Sequence, residues 1–260
     1  MRFSLPAIET ALLYFPLRHH LARPSSVGLS AEDIRPRAAD GTPLHGWWLR
    51  SPAPAADAPR PVVIWFSGNG GNASGNLENA RRLIDRLDVE IVAVDYRGYG
   101  LSEGFPTEAG LYQDGRAVYD AVRDRGVPPQ RIVLFGRSVG AAVAVDVALD
   151  RPVAGLILET PFLSVPALAR VHYPIIPTFL IQSRYDNARK LPRITVPTLI
   201  VQAERDEVVP PNHANSLHEL ASHPKALHVL RGARHNDTFT EQREDYFRTW
   251  RELLEPARRP

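Results

Sequence analysis

The sequence predicts an α/β fold with a mostly parallel central sheet and helices on both of its faces. Short β-branched and apolar runs alternate with stretches of helical period, which is the pattern of βαβ units. Most of the runs are unbroken in their apolar character, as expected for parallel strands that helices cover on both sides. The predicted strands span residues 61–67, 90–95, 131–135, 155–159, 198–202 and 226–230. The predicted helices span residues 73–87, 111–125, 140–150, 212–222 and 240–254.

The N-terminal part predicts an antiparallel hairpin at one edge of the sheet. Residues 34–38 and 44–50 flank the dipeptide Asp40-Gly41, which tolerates the positive φ that tight hairpin turns need. Residues 51–60 are rich in Pro and Ala and have no period. We therefore expect an exposed connection there and not a linker between domains.

The length of 260 residues predicts one domain over residues 1–260, with a small cap formed by residues 160–197. In that segment the alternation of strands and helices breaks, and prolines stand among apolar side chains. Short helices there would lie over the carboxyl ends of the strands, where ligands bind in sheets of this kind. The apolar side chains that we expect to contact a substrate are Phe162, Tyr173, Ile176 and Phe179.

Composition excludes several classes of protein. Lys and Arg number 31 against 29 Asp and Glu, and the arginines form no cluster, so nucleic acid is not an expected partner. The absence of cysteine excludes disulfides, thiolate metal sites and a cysteine nucleophile. The pair His19-His20 has no third ligand at a useful sequence spacing, so we expect no metal site, and no cofactor either.

The hydrophobic pattern predicts no transmembrane segment, because no apolar run approaches the ~20 residues that a bilayer requires. Pro6 and Glu9 interrupt any apolar region of a signal peptide near the start of the chain. We therefore expect a cytoplasmic protein.

Ser138 is the predicted nucleophile. It is the central residue of the motif GRSVG at residues 136–140, which directly follows a predicted strand and precedes a run of small residues. A serine on a sharp turn from strand to helix needs small neighbours and presents its hydroxyl at the edge of the sheet. The N-terminus of the following helix adds partial positive charge near the reacting atoms.

A second match to the same pattern, centred on Ser102, lacks this context. No strand leads into Ser102, and Pro106 stands where a following helix should begin. We expect Ser102 to be a loop residue at the border of the site.

A serine hydroxyl needs a base that takes its proton and a third group that orients the base. When the serine lies on a sharp turn between a strand and a helix, called a nucleophile elbow, the acid and then the histidine follow it in the chain, each in a loop after a strand. Asp206 is the predicted acid, and its neighbours Glu204 and Glu207 are expected to be solvated. His235 is the predicted base because it alone among the histidines follows the last strand, whereas His213, His218 and His223 fit surface positions.

The oxyanion of an acyl-transfer intermediate needs two hydrogen-bond donors. The N–H of Val139 is the first predicted donor, and the N–H of Asn69, in the glycine-rich stretch at residues 68–72, is the second. Glycines there allow the backbone to approach the substrate closely. A phosphate-binding loop is not indicated, because no Gly-Lys-Ser/Thr follows.

With these residues assigned, nearly the whole chain resembles the α/β-hydrolase superfamily, and most of all its depalmitoylase-like branch with its bacterial relatives. The matching blocks are LLYFP (12–16), FSGNGGN (66–72), DYRGYGLSEG (95–104), GRSVG (136–140), ETPF (159–162), ERDEVVP (204–210) and GARHND (232–237). The resemblance implies the α/β-hydrolase fold and the Ser–Asp–His order, but not a substrate. Ser67-Gly68 replaces the His-Gly of many relatives, and too few residues precede Leu12 for the membrane-anchoring helix that many of them have. The first departure should alter a hydrogen bond that orders the loop without removing the oxyanion donor, and the second argues against a membrane-bound depalmitoylase.

These features predict a serine hydrolase that cleaves carboxylic esters or thioesters of short to medium acyl chains through an acyl-enzyme. The expected partner is a small acyl ester or thioester. A peptidase or amidase with the same triad is an alternative, and so is a non-catalytic scaffold, because fold alone does not fix function. Haloalkane dehalogenases and epoxide hydrolases have a similar fold but carry an acid at the position of the nucleophile. This chain has Ser138 there, so neither activity is expected.

Overall fold

A computed structural model describes residues 5–50, 60–222, 224–239 and 244–258. The strands are β1 (Phe15–Pro16), β2 (Ser30–Ile34), β3 (His45–Arg50), β4 (Val62–Phe66), β5 (Gly70–Gly71), β6 (Glu90–Asp95), β7 (Ile132–Arg137), β8 (Gly155–Glu159), β9 (Thr198–Ala203) and β10 (Lys225–Leu230). The α-helices are α1 (Leu5–Leu13), α2 (Leu77–Leu87), α3 (Glu108–Asp124), α4 (Val139–Ala148), α5 (Val165–His172), α6 (Asn187–Lys190), α7 (Asn212–Leu220) and α8 (Glu244–Leu254). None of these helices combines the length and the apolar character that crossing a membrane requires.

Eight strands form the main sheet in the order β10-β9-β8-β7-β4-β6-β3-β2. The six strands from β10 to β6 run parallel, whereas β3 and β2 are antiparallel to their neighbours. The predicted α/β-hydrolase fold, with a mostly parallel sheet and helices on both faces, is therefore confirmed. Because the carboxyl ends of parallel strands meet at one edge, the loops after β4, β7, β9 and β10 come together there.

The predicted hairpin also forms at a sheet edge, but its first strand is earlier than expected. Strand β2 ends at Ile34, and beyond it only an isolated bridge joins Arg37 to Pro43. Gly41 has a φ of 87°, in agreement with the turn that Asp40-Gly41 predicts. Most of the predicted connection at 51–60, and the first residues of the helix predicted at 240–254, lie outside the described residues.

The core has two layers, one on each face of the sheet. In β7, Ile132 and Leu134 join one buried cluster, and Val133 and Phe135 join the other, because successive side chains of a strand point to opposite faces. This explains the unbroken apolar runs in the sequence, since both faces of the central strands are covered.

The segment between β8 and β9 contains α5, α6 and two short 3₁₀ turns at Thr178–Leu180 and Leu191–Arg193. Ser164 caps α5 by accepting a hydrogen bond from the N–H of Ala167 at 3.2 Å, and Asp186 caps α6 through the N–H of Arg189 at 3.1 Å. Most residues from 170 to 180 are exposed. The short helices expected in residues 160–197 are therefore present.

Helix α4 lies very close to β4, and Gly140 permits this approach. A Cβ atom built on Gly140 would lie 2.0 Å from the carbonyl oxygen of Phe66 and 2.5 Å from that of Ser67. Both neighbours are backbone atoms of a central strand and its loop, so they have little freedom to move aside. The glycine is therefore a packing requirement of the sheet and not only part of a motif.

Replacement of Gly140 by alanine tests this requirement. We expect Gly140→Ala to lower the free energy of unfolding by about 3 kcal/mol or more, since the added methyl overlaps backbone that cannot relax. Gly75→Ala is the matched control, because a Cβ atom there meets nothing within 4 Å. Denaturant unfolding followed by circular dichroism measures both variants, and equal stabilities would contradict the argument.

Candidate active site

Ser138 occupies the turn between β7 and α4 in a strained backbone conformation. Its φ is 53° and its ψ is −116°, a region that residues other than glycine rarely adopt. A Cβ atom on Gly136 would lie 2.2 Å from the carbonyl oxygen of Gly140, so the turn is too tight for a larger residue. The N–H of Ser138 donates to the carbonyl oxygen of Glu159 at 2.9 Å, which fixes the turn against β8.

Asp206 and His235 form a hydrogen-bonded pair at the same edge of the sheet. His235 Nδ1 lies 2.8 Å from Asp206 Oδ2 and 3.0 Å from Oδ1, and both residues are buried. Asp206 Oδ1 also accepts the N–H groups of Val208 and Val209 at 2.9 and 2.7 Å. An ionised carboxylate only accepts hydrogen bonds, so His235 donates through Nδ1 and leaves Nε2 as an acceptor.

A buried polar network joins the Ser138 turn to the loop that carries His235. The guanidinium of Arg137 donates to the carbonyl oxygen of His235, and to Asn236 Oδ1 at 3.3 Å. Its Nε lies 3.3 Å from Glu159 Oε1, as an ion pair without hydrogen-bond geometry. The carboxylate of Glu159 accepts the hydroxyls of Thr238 at 2.7 Å and Tyr246 at 2.6 Å. The network therefore connects β7, β8, the His235 loop and α8.

The glycine-rich loop after β4 lies beside Ser138. A Cβ atom on Gly68 would be 3.8 Å from that of Ser138, so the two loops are adjacent. The carbonyl oxygen of Asn69 accepts the N–H of Phe15 at 2.9 Å and the hydroxyl of Tyr99 at 2.7 Å, and its side-chain amide donates to Leu13 O at 2.9 Å. These contacts fix the orientation of the peptide groups around Asn69.

A cavity of about 480 Å³ opens over Ser138, with Asn69 and Val139 in its wall. Of the predicted substrate contacts, Phe162, Tyr173 and Ile176 line this cavity. Phe179 is not among the lining residues, and its side chain is 77% exposed. Its 3₁₀ turn directs the neighbouring Leu180 toward the cavity instead.

Two further groups of residues line this cavity, and neither group was predicted from the sequence. One face of α5 contributes Val165, Leu168, Ala169 and His172. Their spacing of three and four residues is a helical period, so the pattern was present in the sequence. The N-terminal segment, residues 12–21, contributes Leu12, Leu13 and Phe15. No local sequence pattern connects these side chains to residues more than a hundred positions later.

Ser102 and His213, the alternatives to Ser138 and His235 in the sequence, have other roles in the structure. Ser102 is buried in the loop after β6, where its hydroxyl accepts the N–H of His45 at 2.9 Å and donates to Asp95 O at 2.6 Å. The prediction of a surface position for His213 is wrong, because the residue is buried and its Nδ1 accepts the N–H of Leu163 at 3.2 Å. Burial lowers the pKa of His213, which favours the neutral ring that this bond requires.

Glu204 and Glu207 are exposed, as predicted, but each also contacts the loop of His235. Glu204 Oε2 accepts the N–H of Gly232 at 2.8 Å, and Glu207 Oε2 lies 3.4 Å from the N–H of His235. Glu207 also borders the cavity over Ser138. Asp206 is the carboxylate of the three that reaches the imidazole.

The chain belongs to the α/β-hydrolase family. A family model described as "Serine aminopeptidase, S33" matches residues 57–190. The chain is 35% identical over 231 residues to the uncharacterized protein Rv2307c of Mycobacterium tuberculosis, which covers 88% of this chain and 81% of that protein. It is 30% identical over 276 residues to the alpha/beta hydrolase domain-containing protein WAV2 of Arabidopsis thaliana, which covers 96% and 89%.

Solved structures share the fold. The Pyrococcus furiosus esterase Pf2001 superposes with a TM-score of 0.74 at 19% sequence identity, over 93% of this chain and 98% of that one. At this identity the similarity defines the architecture and not the substrate.

The link between Arg137 and the loop of His235 gives a structural prediction. Arg137→Met keeps most of the side-chain stem but removes both the charge and the donors, leaving the buried Glu159 carboxylate without its counter-ion. We expect a loss of about 3 kcal/mol in the free energy of unfolding, as for other broken buried ion pairs. Hydrogen exchange measured by mass spectrometry should also become faster in residues 232–239.

Arg234→Met is the control for this prediction, because Arg234 is an exposed arginine of the same loop. It should change neither quantity appreciably. Similar exchange rates in the two variants would show that the guanidinium of Arg137 does not hold the loop.

Proposed function

We propose that this protein is a serine hydrolase that cleaves carboxylic esters or thioesters of short to medium acyl chains. The observation that carries the proposal is the buried Asp206–His235 hydrogen bond at 2.8 Å, at the sheet edge where Ser138 sits in its strained turn. A histidine held by a carboxylate through Nδ1 and a serine on such an elbow are the parts that nucleophilic acyl transfer requires.

In the proposed reaction, His235 Nε2 takes the proton of the Ser138 hydroxyl while Oγ attacks the acyl carbon. The N–H groups of Val139 and Asn69 donate to the resulting oxyanion. Collapse of the intermediate breaks the bond to the alcohol or thiol, which leaves with the proton from His235. Water, deprotonated by the same nitrogen, then attacks the acyl-enzyme and releases the carboxylic acid with Ser138 regenerated.

The walls of the 480 Å³ cavity support an acyl substrate. They consist mainly of aliphatic and aromatic side chains from α5, residues 176–181 and the N-terminal segment. An alkyl chain gains ~0.8 kcal/mol for each methylene group that it buries against such a surface. We infer that residues 160–197 act as a small cap within a single domain and bind the acyl chain.

A peptidase activity is the second candidate, because the matching family model carries the description of a serine aminopeptidase. Glu207 borders the cavity and is an exposed carboxylate that a free α-amino group could pair with. Comparison of p-nitrophenyl acyl esters, acyl thioesters and aminoacyl p-nitroanilides distinguishes the two candidates. Turnover confined to the anilides would replace the esterase proposal.

Substitution of the nucleophile is the direct test. Ser138→Ala should lower kcat on p-nitrophenyl esters by a factor on the order of 10⁶ and abolish labelling by a fluorophosphonate probe. Ser102→Ala is the matched control, because Ser102 occupies the same sequence pattern but its hydroxyl is hydrogen-bonded to the backbones of His45 and Asp95. This control should keep its labelling even if its stability falls. Equal activity of the wild-type and Ser138→Ala proteins would refute the proposal.

The role of α5 in chain-length preference can be tested separately. The ratio kcat/KM should rise about fourfold for each added methylene until the cavity is filled. Leu168→Trp should move the maximum to a shorter chain, because Leu168 lines the cavity. Val171→Trp, on the same helix but exposed and outside the lining, should leave the maximum unchanged. An identical chain-length profile in both variants would place the acyl chain elsewhere.

A further inference from the structure

A second cluster of chemically active side chains lies apart from the proposed active site. His20 Nε2 is 2.7 Å from Asp95 Oδ2, and His45 Nδ1 is 3.3 Å from the same oxygen. His20 and His45 border a cavity of about 1090 Å³, which has no lining residue in common with the cavity over Ser138. The mechanism proposed above uses none of these three residues.

The fold brings the three residues together from distant parts of the chain. His45 begins β3 and Asp95 ends β6, and the two are direct partners in the antiparallel pairing of these strands. His20 comes from the connection between β1 and β2, and its ring contacts that of Trp47 with 4.4 Å between the centroids. The side chain of Asp95 is fully buried, and that of His20 is 11% exposed, so access is from the cavity side.

We propose that His20, His45 and Asp95 form a binding site for a divalent transition-metal ion such as Zn²⁺. One ligand atom from each residue lies within 4.8 Å of the others. Imidazole nitrogen and carboxylate oxygen bind zinc at about 2.0–2.2 Å, so in a tetrahedral site neighbouring ligand atoms are roughly 3.3 Å apart. The distances to Asp95 Oδ2 are 2.7 and 3.3 Å, and no two of the ligand atoms are more than 4.8 Å apart, so an ion at this position requires shifts of about 1.5 Å or less. The fourth position would face the cavity and hold a water molecule.

The surroundings of the cluster resemble the outer shell of a metal site. Asp95 Oδ1 accepts the N–H of Ala73 at 2.9 Å, while Oδ2 faces the two imidazoles and also accepts the N–H of Leu101 at 3.3 Å. The second ring nitrogen of His45 lies 3.6 Å from Asp33 Oδ2. Metal-binding histidines commonly face a carboxylate through the nitrogen that does not bind the metal. Asp33 is thus the expected orienting partner of His45.

A bound ion would stabilise the N-terminal segment against β3 and β6, next to the loop that carries Asn69. Beside His20, the N–H of Leu21 donates to Ser74 Oγ at 2.9 Å, and Asn72 Nδ2 donates to His19 O at 2.6 Å. The ion would add bonds among the N-terminal segment, β3 and β6 at this point. Its expected role is therefore structural, and it does not depend on the proposed hydrolase activity.

Zinc binding to the full-length chain tests the proposal. After dialysis against a chelator, isothermal titration with Zn²⁺ should give one ion per chain, and Co²⁺ should give the visible absorption of a tetrahedral complex. His20→Ala should weaken binding on the order of a hundredfold or more, since a direct ligand matters more than an outer-shell partner. Zn²⁺ should raise the Tm of the wild type but not that of His20→Ala.

The neighbouring histidine provides the matched control. His19→Ala removes an imidazole of the same loop that is exposed and outside the cluster, and should bind zinc like the wild type. Asp33→Asn should weaken binding about 10–100-fold, and serves if His20→Ala does not fold. Absence of stoichiometric binding, or equal binding by the wild type and both His20→Ala and Asp33→Asn, would overturn the proposal. Loss of binding in His235→Ala alone would assign the ion to the active site and overturn it as well.

Discussion

The buried carboxylate of Glu159 is the constraint on which the geometry of the candidate active site depends. It ends β8, between the strand that leads to Ser138 and the strand that leads to Asp206. A charge without access to water is tolerated only when it is paired and hydrogen-bonded, so its partners must keep their positions. Those partners are Arg137, Thr238 and Tyr246, and its own backbone carbonyl accepts the N–H of Ser138. Contacts with Glu159 therefore fix the positions of both the loop that carries the serine and the loop that carries the histidine.

This arrangement compensates for the low intrinsic rigidity of loops. Asp206 and His235 both lie beyond the ends of strands, where backbone hydrogen bonds of the sheet no longer act. Asp206 is instead held by two backbone N–H groups of its own loop, and His235 by Asp206 and by Arg137. The strained φ of 53° at Ser138 persists for the same reason, because close packing around Gly136 and Gly140 leaves the backbone no other path.

The sequence predicted the sheet well because the signal for buried parallel strands is local. Runs such as residues 90–95 and 155–159 match their strands in full, and the strand–turn–helix context distinguished Ser138 from Ser102. Chain order predicts Asp206 and His235 as partners, and the two form the expected hydrogen bond. Local patterns could not predict the partners of Glu159, the burial of His213 or the meeting of His20 with Asp95. Each depends on contacts between segments that are distant in the sequence. Single residues show no periodic pattern from which such contacts could be predicted.

The N-terminal segment, residues 12–21, shows how such long-range contacts link the two sites. Its backbone pairs with the glycine-rich loop, through Phe15 N–H to Asn69 O at 2.9 Å and Leu17 N–H to Gly71 O at 3.0 Å. Leu12, Leu13 and Phe15 form part of the cavity wall over Ser138, and His20 lies beside Asp95 at the other end. The loop that carries Asn69 is therefore held by backbone pairing on one side and by Asp95, through Ala73, on the other. The N-terminal segment therefore determines the orientation of the peptide groups in this loop as much as the loop itself does. The position of the proposed oxyanion donor depends on that orientation.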